Sequence, residues 1–295
     1  LKPDDPAAQE PADVVFFSTP DRVGMAQAPA ELAKGARVID YSGDFRFDNP
    51  EDYAEYARRI GLNPVHQAPD LLPQTVYGLP ELNRAAYGED RRLVGNPGCF
   101  AMSCLLGLSP AAAARLVEPS SVICDCKTGV SGAGKKPSAI HHYPARYENM
   151  QAYRLSGHQH VMEVERMLGK LAGEPVPVTF TAQVVPACRG ILSTLYGTLR
   201  DGIRLEQVRE AYAEFYKDHS FVRLYDRNAA IGTAHVRGSN FCNLIVDVDE
   251  RTSRLRVVSH IDNLMKGQAG NALQNMNLIC GLPETLGLDH PGAYP

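Results

Sequence analysis

The first third of the chain alternates short apolar runs with stretches of helical periodicity. The runs predict three buried strands, at residues 13–17, 37–40 and 92–95. Helices are predicted at 26–34, ended by Gly35, and at 99–116, entered through the turn Asn96-Pro97-Gly98. Short apolar strands separated by helices are typical of parallel βαβ units, whose ligand sites lie at the carboxyl ends of the strands. The pattern therefore predicts an α/β, Rossmann-like parallel sheet.

Beyond residue 116 the predicted strands are longer and mix alternation with apolar runs. They fall at 121–127, 178–185, 191–200, 240–249 and 255–262, with helices at 161–171 and 205–218. This order predicts an α+β second domain on a mixed or antiparallel sheet. A last helix at about 269–279 carries apolar side chains at helical spacing, namely Ala272, Leu273, Met276 and Ile279. We assign 1–108, completed by 268–295, to the first domain, and 109–267 to a catalytic and oligomerisation domain.

Composition restricts the class of partner. The 295 residues suffice for about two domains, and 44% hydrophobic with 22% charged residues is ordinary for a globular chain, so disorder is excluded. The net charge is −4 without a basic block, which excludes nucleic acid and anionic membrane as partners. Proline and glycine interrupt the longest uncharged stretch, 96–114, so it is not a membrane span. We expect a small-molecule partner.

The seven cysteines are odd in number, form no CxxC pair and lie in or beside apolar runs. This usage is typical of thiols in a reducing compartment, and predicts a cytoplasmic protein, or an organellar one in a eukaryote. Cys99 differs from the others because it follows a Pro-Gly turn and opens a predicted helix. Unpaired backbone N–H groups and the helix dipole favour a thiolate there. We interpret Cys99 as a nucleophile, with a buried structural cysteine as the alternative.

Two histidines and a carboxylate surround the start of the helix predicted at 161–171. His160 and Glu163 are three residues apart and share a helical face. The functional interpretation is a general acid/base oriented by a carboxylate. The alternatives are that His158 caps the loop, or that the cluster holds zinc. An HxH pair with one glutamate is a weak metal signal, and we predict no metal.

A glycine-rich loop, residues 127–136, directly follows a predicted strand. Gly129, Gly134 and Lys135 fit the spacing of a P-loop, which would indicate a nucleotide hydrolase. Lys136 replaces the hydroxyl residue that meets Mg²⁺, and Pro137 stands where the helix should continue. We favour a nest whose backbone N–H groups approach a flat ring or a phosphate, with a mobile loop as the alternative.

Arg46 lies just beyond the predicted strand at 37–40, within the run DYSGDFR. This is the ligand side of a parallel sheet, where a guanidinium forks onto phosphate or carboxylate. A solvated surface arginine is the alternative interpretation.

The sequence as a whole resembles the N-acetyl-γ-glutamyl-phosphate reductases of arginine biosynthesis, relatives of the aspartate-semialdehyde dehydrogenases. The resemblance runs from Ala12 to about Leu288. It rests on motifs at 40–46 (DYSGDFR), 76–83 (VYGLPELN), 95–100 (GNPGCF), 128–136 (TGVSGAGKK), 157–160 (GHQH), 189–192 (RGIL), 261–267 (IDNLMKG) and 274–278 (QNMNL).

The resemblance implies NADPH-dependent reduction of N-acetyl-glutamyl 5-phosphate to the 5-semialdehyde, with release of inorganic phosphate, by a homodimer or homotetramer. A cysteine thioester would be reduced by hydride, and His160 or His158 would protonate the alkoxide. The implied catalytic residues are Cys99, His160, His158 and Glu163. Implied substrate-binding residues are Arg46, Ser42, Asn96 and Tyr77. Implied NADP(H)-binding residues are Ser18, Thr19, Pro20, Ser131, Gly132, Asn263 and Lys266.

Two features depart from the family pattern. Met102 and Ser103 stand where the family usually has Thr followed by Ala or Gly, so any ligand contact by that hydroxyl is lost. The family opens with a strand and a glycine-rich dinucleotide turn, and neither precedes Ala12. We therefore expect about one βαβ unit to be missing, NADPH binding to be weakened, and the strand at 13–17 to expose an edge.

Related acyl-phosphate reductases acting on aminoadipyl or aspartyl phosphate are the alternative functions. A lysine-pathway branch of the family carries a different glycine-rich loop and lacks Asn-Pro before Gly-Cys. Asn96-Pro97 and the run at 130–134 therefore favour the arginine branch. A binding-only relative would lack the nucleophile or the base, and this chain has both.

Overall fold

The computed structural model describes residues 10–88 and 90–293. These fall into two compact units, one of Leu1–Pro97 with Ala272–Leu286 and one of Gly98–Asn271 with Gly287–Pro295. Residues 1–9, on which most of the expectation about the start of the chain rests, lie outside the described ranges.

The first unit is built on a four-stranded parallel sheet. Its strands, in the order β1-β2-β4-β3, are Val14–Phe17 (β1), Arg37–Asp40 (β2), Val76–Tyr77 (β3) and Leu93–Gly95 (β4). All three pairings are parallel. The predicted Rossmann-like sheet is therefore confirmed, and within the described residues β1 forms one of its edges.

The helices of this unit are Gly24–Ala33 (α1), Pro50–Arg59 (α2) and Pro80–Asn83 (α3). We did not predict α2, because half of its residues are charged and it buries only Tyr53, Tyr56 and Ala57. Its local signals are nevertheless present: the Asn49 side chain accepts a hydrogen bond from the backbone of Asp52, and proline opens the helix.

The second unit is built on a seven-stranded mixed sheet in the order β6-β7-β5-β8-β11-β10-β9. Its strands are Val122–Thr128 (β5), Gln151–Tyr153 (β6), Val178–Val184 (β7), Ile191–Thr198 (β8), Val222–Tyr225 (β9), Cys242–Asp249 (β10) and Arg254–Ile261 (β11). Two pairings are parallel and four antiparallel, which confirms the predicted mixed sheet.

Helix α4, Cys99–Ala113, is apolar on all sides and almost wholly buried. It contacts β8 and β11 as well as the other long helices of this unit, Val161–Ala172 (α6) and Leu205–Tyr216 (α7). A short helix, Tyr143–Arg146 (α5), precedes β6. The predicted domain boundary at residue 108 falls inside α4. The whole helix groups with the second unit because its side chains pack on the mixed sheet.

A π-helical turn, Met265–Ala269, leads from the second unit into the last helix, Gly270–Ile279 (α8). From Ala272 onward this helix groups with the first unit, where Ala272 and Ile279 pack on Ile39, Val76 and Val94. Residues 287–295 group with the second unit.

Three loops that carry candidate site residues leave the mixed sheet at the same end of its central strands. Thr128, at the end of β5, and Ile261, at the end of β11, both pair with Ile191 at the start of β8. The loops before β8 and after β5 and β11 therefore leave the sheet side by side.

Candidate active site

The cysteine turn, Asn96-Pro97-Gly98, ends where α4 begins. Gly98 has the extended backbone of an N-cap residue (φ −71°, ψ 147°), and Cys99 is the first helical residue. Its side chain is half-buried. Backbone N–H groups in a first turn have no acceptor within the helix, and the dipole favours negative charge there. The position expected from the sequence is thus formed, and it favours an anionic sulfur.

Two glycines allow close approach to this turn. A Cβ on Gly98 would lie 2.1 Å from Nε2 of His160, and a Cβ on Gly267 would lie 3.1 Å from the Cβ of Cys99. No side chain is tolerated at the first distance. Gly98 is therefore required for the His160 ring to lie beside the nucleophile turn, a requirement that the sequence motif alone did not show.

The two histidines have different environments. The backbone N–H of His160 donates to Nδ1 of His158 over 3.2 Å. Burial, reinforced by the charge of Arg154, lowers the pKa of His158 to about 4. His158 is therefore neutral at neutral pH and acts as an acceptor. The Nε2 side of His160 faces the cysteine turn, which makes His160 the better placed acid/base.

Aromatic rings enclose this histidine pair. The His158 ring lies 4.7 Å from that of His160, 5.6 Å from Phe100 and 5.0 Å from Phe180, between centroids. Tyr153, at 5.7 Å from His158, was not predicted. Burial, and then a negative charge on Cys99, raises the pKa of Tyr153 above its ordinary value. An aromatic residue on a three-residue edge strand carries no sequence signal of this proximity.

Glu163 is buried on the first turn of α6. Its Oε2 accepts a hydrogen bond of 3.1 Å from the backbone N–H of Gly98. The carboxylate thus anchors the turn that carries Cys99, and its expected role in orienting a histidine stays a prediction.

The glycine-rich loop is braced by the turn before β8. Gly129 N–H donates to Gly190 O over 3.0 Å, and Ser131 N–H donates to Cys188 O over 3.1 Å. Residues Val130–Ala133 form a single 3₁₀ turn, and bends rather than a helix follow. A P-loop opens into a helix, so the nucleotide-hydrolase alternative lacks its structural element.

Asn263 shapes this loop from the other side. Its Nδ2 donates to Ser131 Oγ over 2.9 Å, and its Oδ1 accepts from Gly190 N–H over 2.7 Å. A Cβ on Gly132 would lie 3.7 Å from the same Nδ2. Ser131, Gly132 and Asn263 are thus brought together, although their contact with a cofactor stays a prediction.

Lys266 has a different environment from that expected of a cofactor ligand. Its side chain is completely buried, with Nζ donating to Asn271 Oδ1 over 3.1 Å and lying 5.8 Å from the Phe221 ring centroid. The geometry favours a role in holding the π-helical turn, and direct contact with a cofactor stays a prediction.

The four implied substrate-binding residues all lie in the first unit. Arg46 is 7% exposed, and its Nε and Nη2 donate to the backbone oxygens of Asn96 (3.0 Å) and Tyr41 (2.6 Å). Ser42 donates to the Asp40 carboxylate, and Tyr77 is half-buried on β3. These side chains brace the protein itself, so a surface position for Arg46 is wrong and its substrate role stays a prediction.

At the carboxyl end of β1, Thr19 Oγ1 is buried without a hydrogen-bond partner among the described residues, while Ser18 and Pro20 are exposed. On the neighbouring strand, Oδ1 of Asp40 is likewise buried and unpartnered. Burial raises the pKa of Asp40 to about 7 against the hydrogen bond from Ser42.

The cysteines, the acidic and histidine side chains and the apolar helices bear on the alternative interpretations. No disulfide joins any of the seven cysteines, all of which lie in the described ranges. Within residues 10–88 and 90–293, no group of three or more His, Cys, Asp or Glu side chains is arranged for a metal ion. None of the helices in the described part of the chain has the length and apolarity needed to cross a membrane.

A parallel nucleotide-type sheet, a mixed sheet and a cysteine beside a histidine define a dehydrogenase-like class of α/β protein. Family models describe the two parts accordingly: "semialdehyde dehydrogenase, NAD binding domain" matches residues 1–89, and "semialdehyde dehydrogenase, dimerisation domain" matches 99–263. The chain belongs to the semialdehyde dehydrogenase family and, within it, to the N-acetyl-γ-glutamyl-phosphate reductase group. The resemblance inferred from the sequence is confirmed.

Among curated relatives, an N-acetyl-γ-glutamyl-phosphate reductase of Bacillus mycoides (strain KBAB4) is 42% identical over 287 residues, which is 97% of this chain and 81% of the relative. One of Geobacter metallireducens is 44% identical over 285 residues, 96% of this chain and 80% of the relative. Among solved structures, aspartate semialdehyde dehydrogenase II of Vibrio cholerae has a TM-score of 0.67 at 20% identity, covering 92% of this chain and 80% of that one. This likeness supports the fold.

Proposed function

We propose that this protein catalyses NADP(H)-dependent reduction of N-acetyl-glutamyl 5-phosphate to N-acetylglutamate 5-semialdehyde, with release of inorganic phosphate. The observation that carries the proposal is the Cys99 turn with Nε2 of His160 against Gly98. It stands in a chain 42–44% identical to relatives named as reductases of this substrate.

Each unit, taken by itself, has residues that fit a part of a dinucleotide. In the first unit, the Oγ1 of Thr19 is buried and has no hydrogen-bond partner among the described residues, so it offers a hydrogen-bonding atom at a strand end, next to Ser18 and Pro20. In the second, Gly132 presents backbone without a side chain on a loop that Ser131 and Asn263 hold in place. When bound, NADPH supplies a hydride for the reduction.

Cys99 performs the acyl transfer in this mechanism. Its thiolate attacks the acyl carbon, a carbon–sulfur bond forms, the carbon–oxygen bond to phosphate breaks, and phosphate leaves with the electron pair. The backbone N–H groups of the first turn of α4 stabilise the negative charge that develops beside the sulfur. Glu163 holds Gly98, and therefore the direction in which Cys99 enters the site.

His160 moves the proton. Its Nε2 lies beside the cysteine turn, on the side where a general acid/base has to meet the bound substrate. It accepts the thiol proton before attack and gives it to the alkoxide oxygen that hydride addition to the thioester leaves on carbon. It then takes the proton back as the carbon–sulfur bond breaks, which releases the semialdehyde and returns Cys99 to the thiolate. The ring of His158 accepts the backbone N–H of His160, and this hydrogen bond holds the two histidines next to each other.

The test is the reverse reaction. Purified protein receives N-acetylglutamate semialdehyde, inorganic phosphate and NADP⁺, and NADPH formation is followed by absorbance. We expect phosphate-dependent reduction of NADP⁺, and much slower reduction with aspartate semialdehyde or aminoadipate semialdehyde. Equal or faster rates with either of these would transfer the proposal to that substrate, and no rate with any of the three would reject it.

The dimerisation domain matched over 99–263 supports a homo-oligomer. Our proposal extends to a homodimer or homotetramer located in the cytoplasm. Light scattering after size exclusion measures the mass, and a monomer would contradict this part.

A further inference from the structure

Tyr153 is the polar side chain beside the histidine pair to which the mechanism above gives no task. It lies at the end of β6, an edge strand among the described residues, and pairs with Ala182 of β7. Its ring lies 5.7 Å from that of His158, which in turn lies 4.7 Å from that of His160, between centroids. Tyr153 thus belongs to the same cluster of rings as the proposed acid/base.

The phenol of Tyr153 is a neutral hydrogen-bond donor at neutral pH. Burial raises the pKa of Tyr153 above its ordinary value, and a negative charge on Cys99 adds to the rise. The second cause means that the phenol lies close enough to the nucleophile to be affected by its charge. The side chain is half-buried rather than sealed inside the protein. The hydroxyl therefore stays protonated and remains accessible from the site.

The hydroxyl of Tyr153 makes no hydrogen bond to any residue in the ranges 10–88 and 90–293. Two other phenols of the chain do have protein acceptors. Tyr212 donates to the backbone oxygen of Gly107 over 2.6 Å, and Tyr56 donates to the Asp21 carboxylate over 3.1 Å. A hydroxyl that is partly withdrawn from water and has no partner in the described protein is available to a ligand of the neighbouring site.

The proposed substrate offers this hydroxyl one neutral polar group and two anionic ones. Its acyl phosphate reacts at Cys99, and the far end of its carbon chain carries a carboxylate and an acetamido group. The rings around the neutral His158 are those of Tyr153, Phe100 and Phe180, and such surroundings solvate an anion poorly. The acetamido group fits better, because its carbonyl oxygen accepts a phenolic hydrogen and its methyl group packs on aromatic rings.

We infer that Tyr153 is a specificity-determining residue of the Cys99 site, and that its hydroxyl donates to the carbonyl oxygen of the substrate's acetamido group. The inference rests on the proposed function. A hydrogen bond remote from the reacting carbon is made equally in the ground state and in the transition state. Its loss therefore raises KM and leaves kcat nearly unchanged. One neutral hydrogen bond at a half-buried position corresponds to about three- to tenfold in affinity.

The experiment compares Tyr153→Phe with wild type in the reverse reaction on two aldehydes. One is N-acetylglutamate semialdehyde, and the other is glutarate semialdehyde, which keeps the carbon chain and the carboxylate but has no acetamido group. We expect Tyr153→Phe to raise KM for the acetylated aldehyde about three- to tenfold, with kcat within about twofold. KM for glutarate semialdehyde should stay within about twofold of wild type, because the lost bond is absent there. An aldehyde that is not turned over is measured as a competitive inhibitor instead.

Tyr147→Phe is the matched control, because this exposed phenol lies on the same segment, with its ring 5.2 Å from that of Tyr143. It should leave both KM values unchanged. The inference is overturned by an unchanged KM for the acetylated aldehyde in Tyr153→Phe, or by the same changes in Tyr147→Phe. An equal rise of KM for both aldehydes also overturns it, since the hydroxyl would then act on the shared carboxylate or on the site as a whole.

A second readout separates this inference from the proposed function. If the wild type turns over neither aldehyde, the proposed function fails, and protection of Cys99 from iodoacetamide is measured by mass spectrometry. N-acetylglutamate should protect the wild type at a concentration at least about threefold lower than glutarate does, and Tyr153→Phe should lose this difference. Equal protection by the two acids in the wild type contradicts the inference. This wild-type comparison also decides the matter should Tyr153→Phe not fold.

Discussion

The loops at the sheet edges of the two units use polar side chains in opposite ways. In the first unit, Asp44 accepts backbone N–H groups from Arg22 and Met25 across the strand ends, and Asp21 accepts that of Gly43 in return. These carboxylates hold the loop after β1 and the loop after β2 together by hydrogen bonds. In the second unit, Asp262 accepts hydrogen bonds from Arg189, whose side chain is 29% exposed, and Glu163 holds the turn of a half-buried thiol.

The difference teaches that residue type does not decide between bracing and chemistry. Arg46 and Arg189 both lie in motifs shared with the family. Arg46 is 7% exposed and donates to backbone oxygens, whereas Arg189 keeps donors that no described residue accepts. What separates them is how many of their donors the surrounding backbone already satisfies. Substitutions of the carboxylate and amide groups that brace the first unit should therefore act on stability, and those around Cys99 in the second unit on kinetics.

The largest effect is expected at Cys99. Cys99→Ser should reduce turnover by at least about a hundredfold, because an alkoxide at neutral pH is far less available than a thiolate. Stopped assays of NADPH formation measure it. Cys188→Ser, at an exposed cysteine, is the control and should retain wild-type rates. A Cys99→Ser enzyme that keeps more than about a hundredth of wild-type turnover would contradict the assignment of Cys99 as the nucleophile.

The histidine pair sharpens the comparison within the second unit. His160→Asn should lower kcat about 10²–10⁴-fold, because the proton transfer is lost. His158→Asn should cost less, since the neutral His158 ring only accepts the N–H of His160. Steady-state kinetics of both variants separate these roles. Greater damage from His158→Asn would reverse the assignment.

In the first unit, Asn275→Ala should act on stability. The Asn275 amide donates to Gly78 O (2.9 Å) and Asn96 Oδ1 (3.1 Å) and accepts from the Tyr87 hydroxyl. Leaving these buried groups unpaired should lower the free energy of unfolding by about 1–3 kcal/mol, measured by urea denaturation. Asn63→Ala, in an exposed turn, should cost clearly less. Equal losses would contradict the bracing role.

The two units also differ in the pH dependence of stability, where the contributions of Asp40 and His158 have opposite signs. Asp40, with its pKa raised by burial from 3.8 to about 7, holds a proton in the folded state that the unfolded chain has released. The contribution of Asp40 to stability therefore falls as pH rises from 3.8 to about 7. The pKa of His158 is lowered from 6.5 to about 4, so between these pH values the ring is neutral in the folded state and protonated in the unfolded chain. The contribution of His158 to stability therefore falls as pH decreases through this range.

Asp40→Asn should accordingly gain stability relative to wild type as pH rises from about 4 to about 7, by at most about 1.4 kcal/mol per pH unit. His158→Asn should gain relative to wild type as pH falls from about 6.5 to about 4. Urea denaturation across this range measures both. If the free energies of unfolding of the two variants changed with pH in the same direction relative to wild type, the opposite signs expected for Asp40 and His158 would be wrong.

Periodicity and local signals in the sequence were enough for much of this protein. The apolar runs of β1, β2 and β4 and the helical spacing of α6, α7 and α8 predicted those elements, and Pro97-Gly98 placed Cys99 at a helix start. These features depend on neighbours in the chain. Strands β3, β6 and β9, of two to four residues, were not predicted, because so short a strand is defined by its sheet partners.

The tertiary structure decided what each polar residue does. The sequence left His158 and His160 equivalent, and only the close approach of His160 to Gly98, sixty-odd positions away in the chain, distinguishes them. It likewise directed Arg46 to backbone oxygens, buried Lys266, and joined Arg189 to Asp262 of the loop after β11. Periodicity records which face of an element is buried, whereas donors, acceptors and charges acquire a role only from the partners that folding brings within bonding distance.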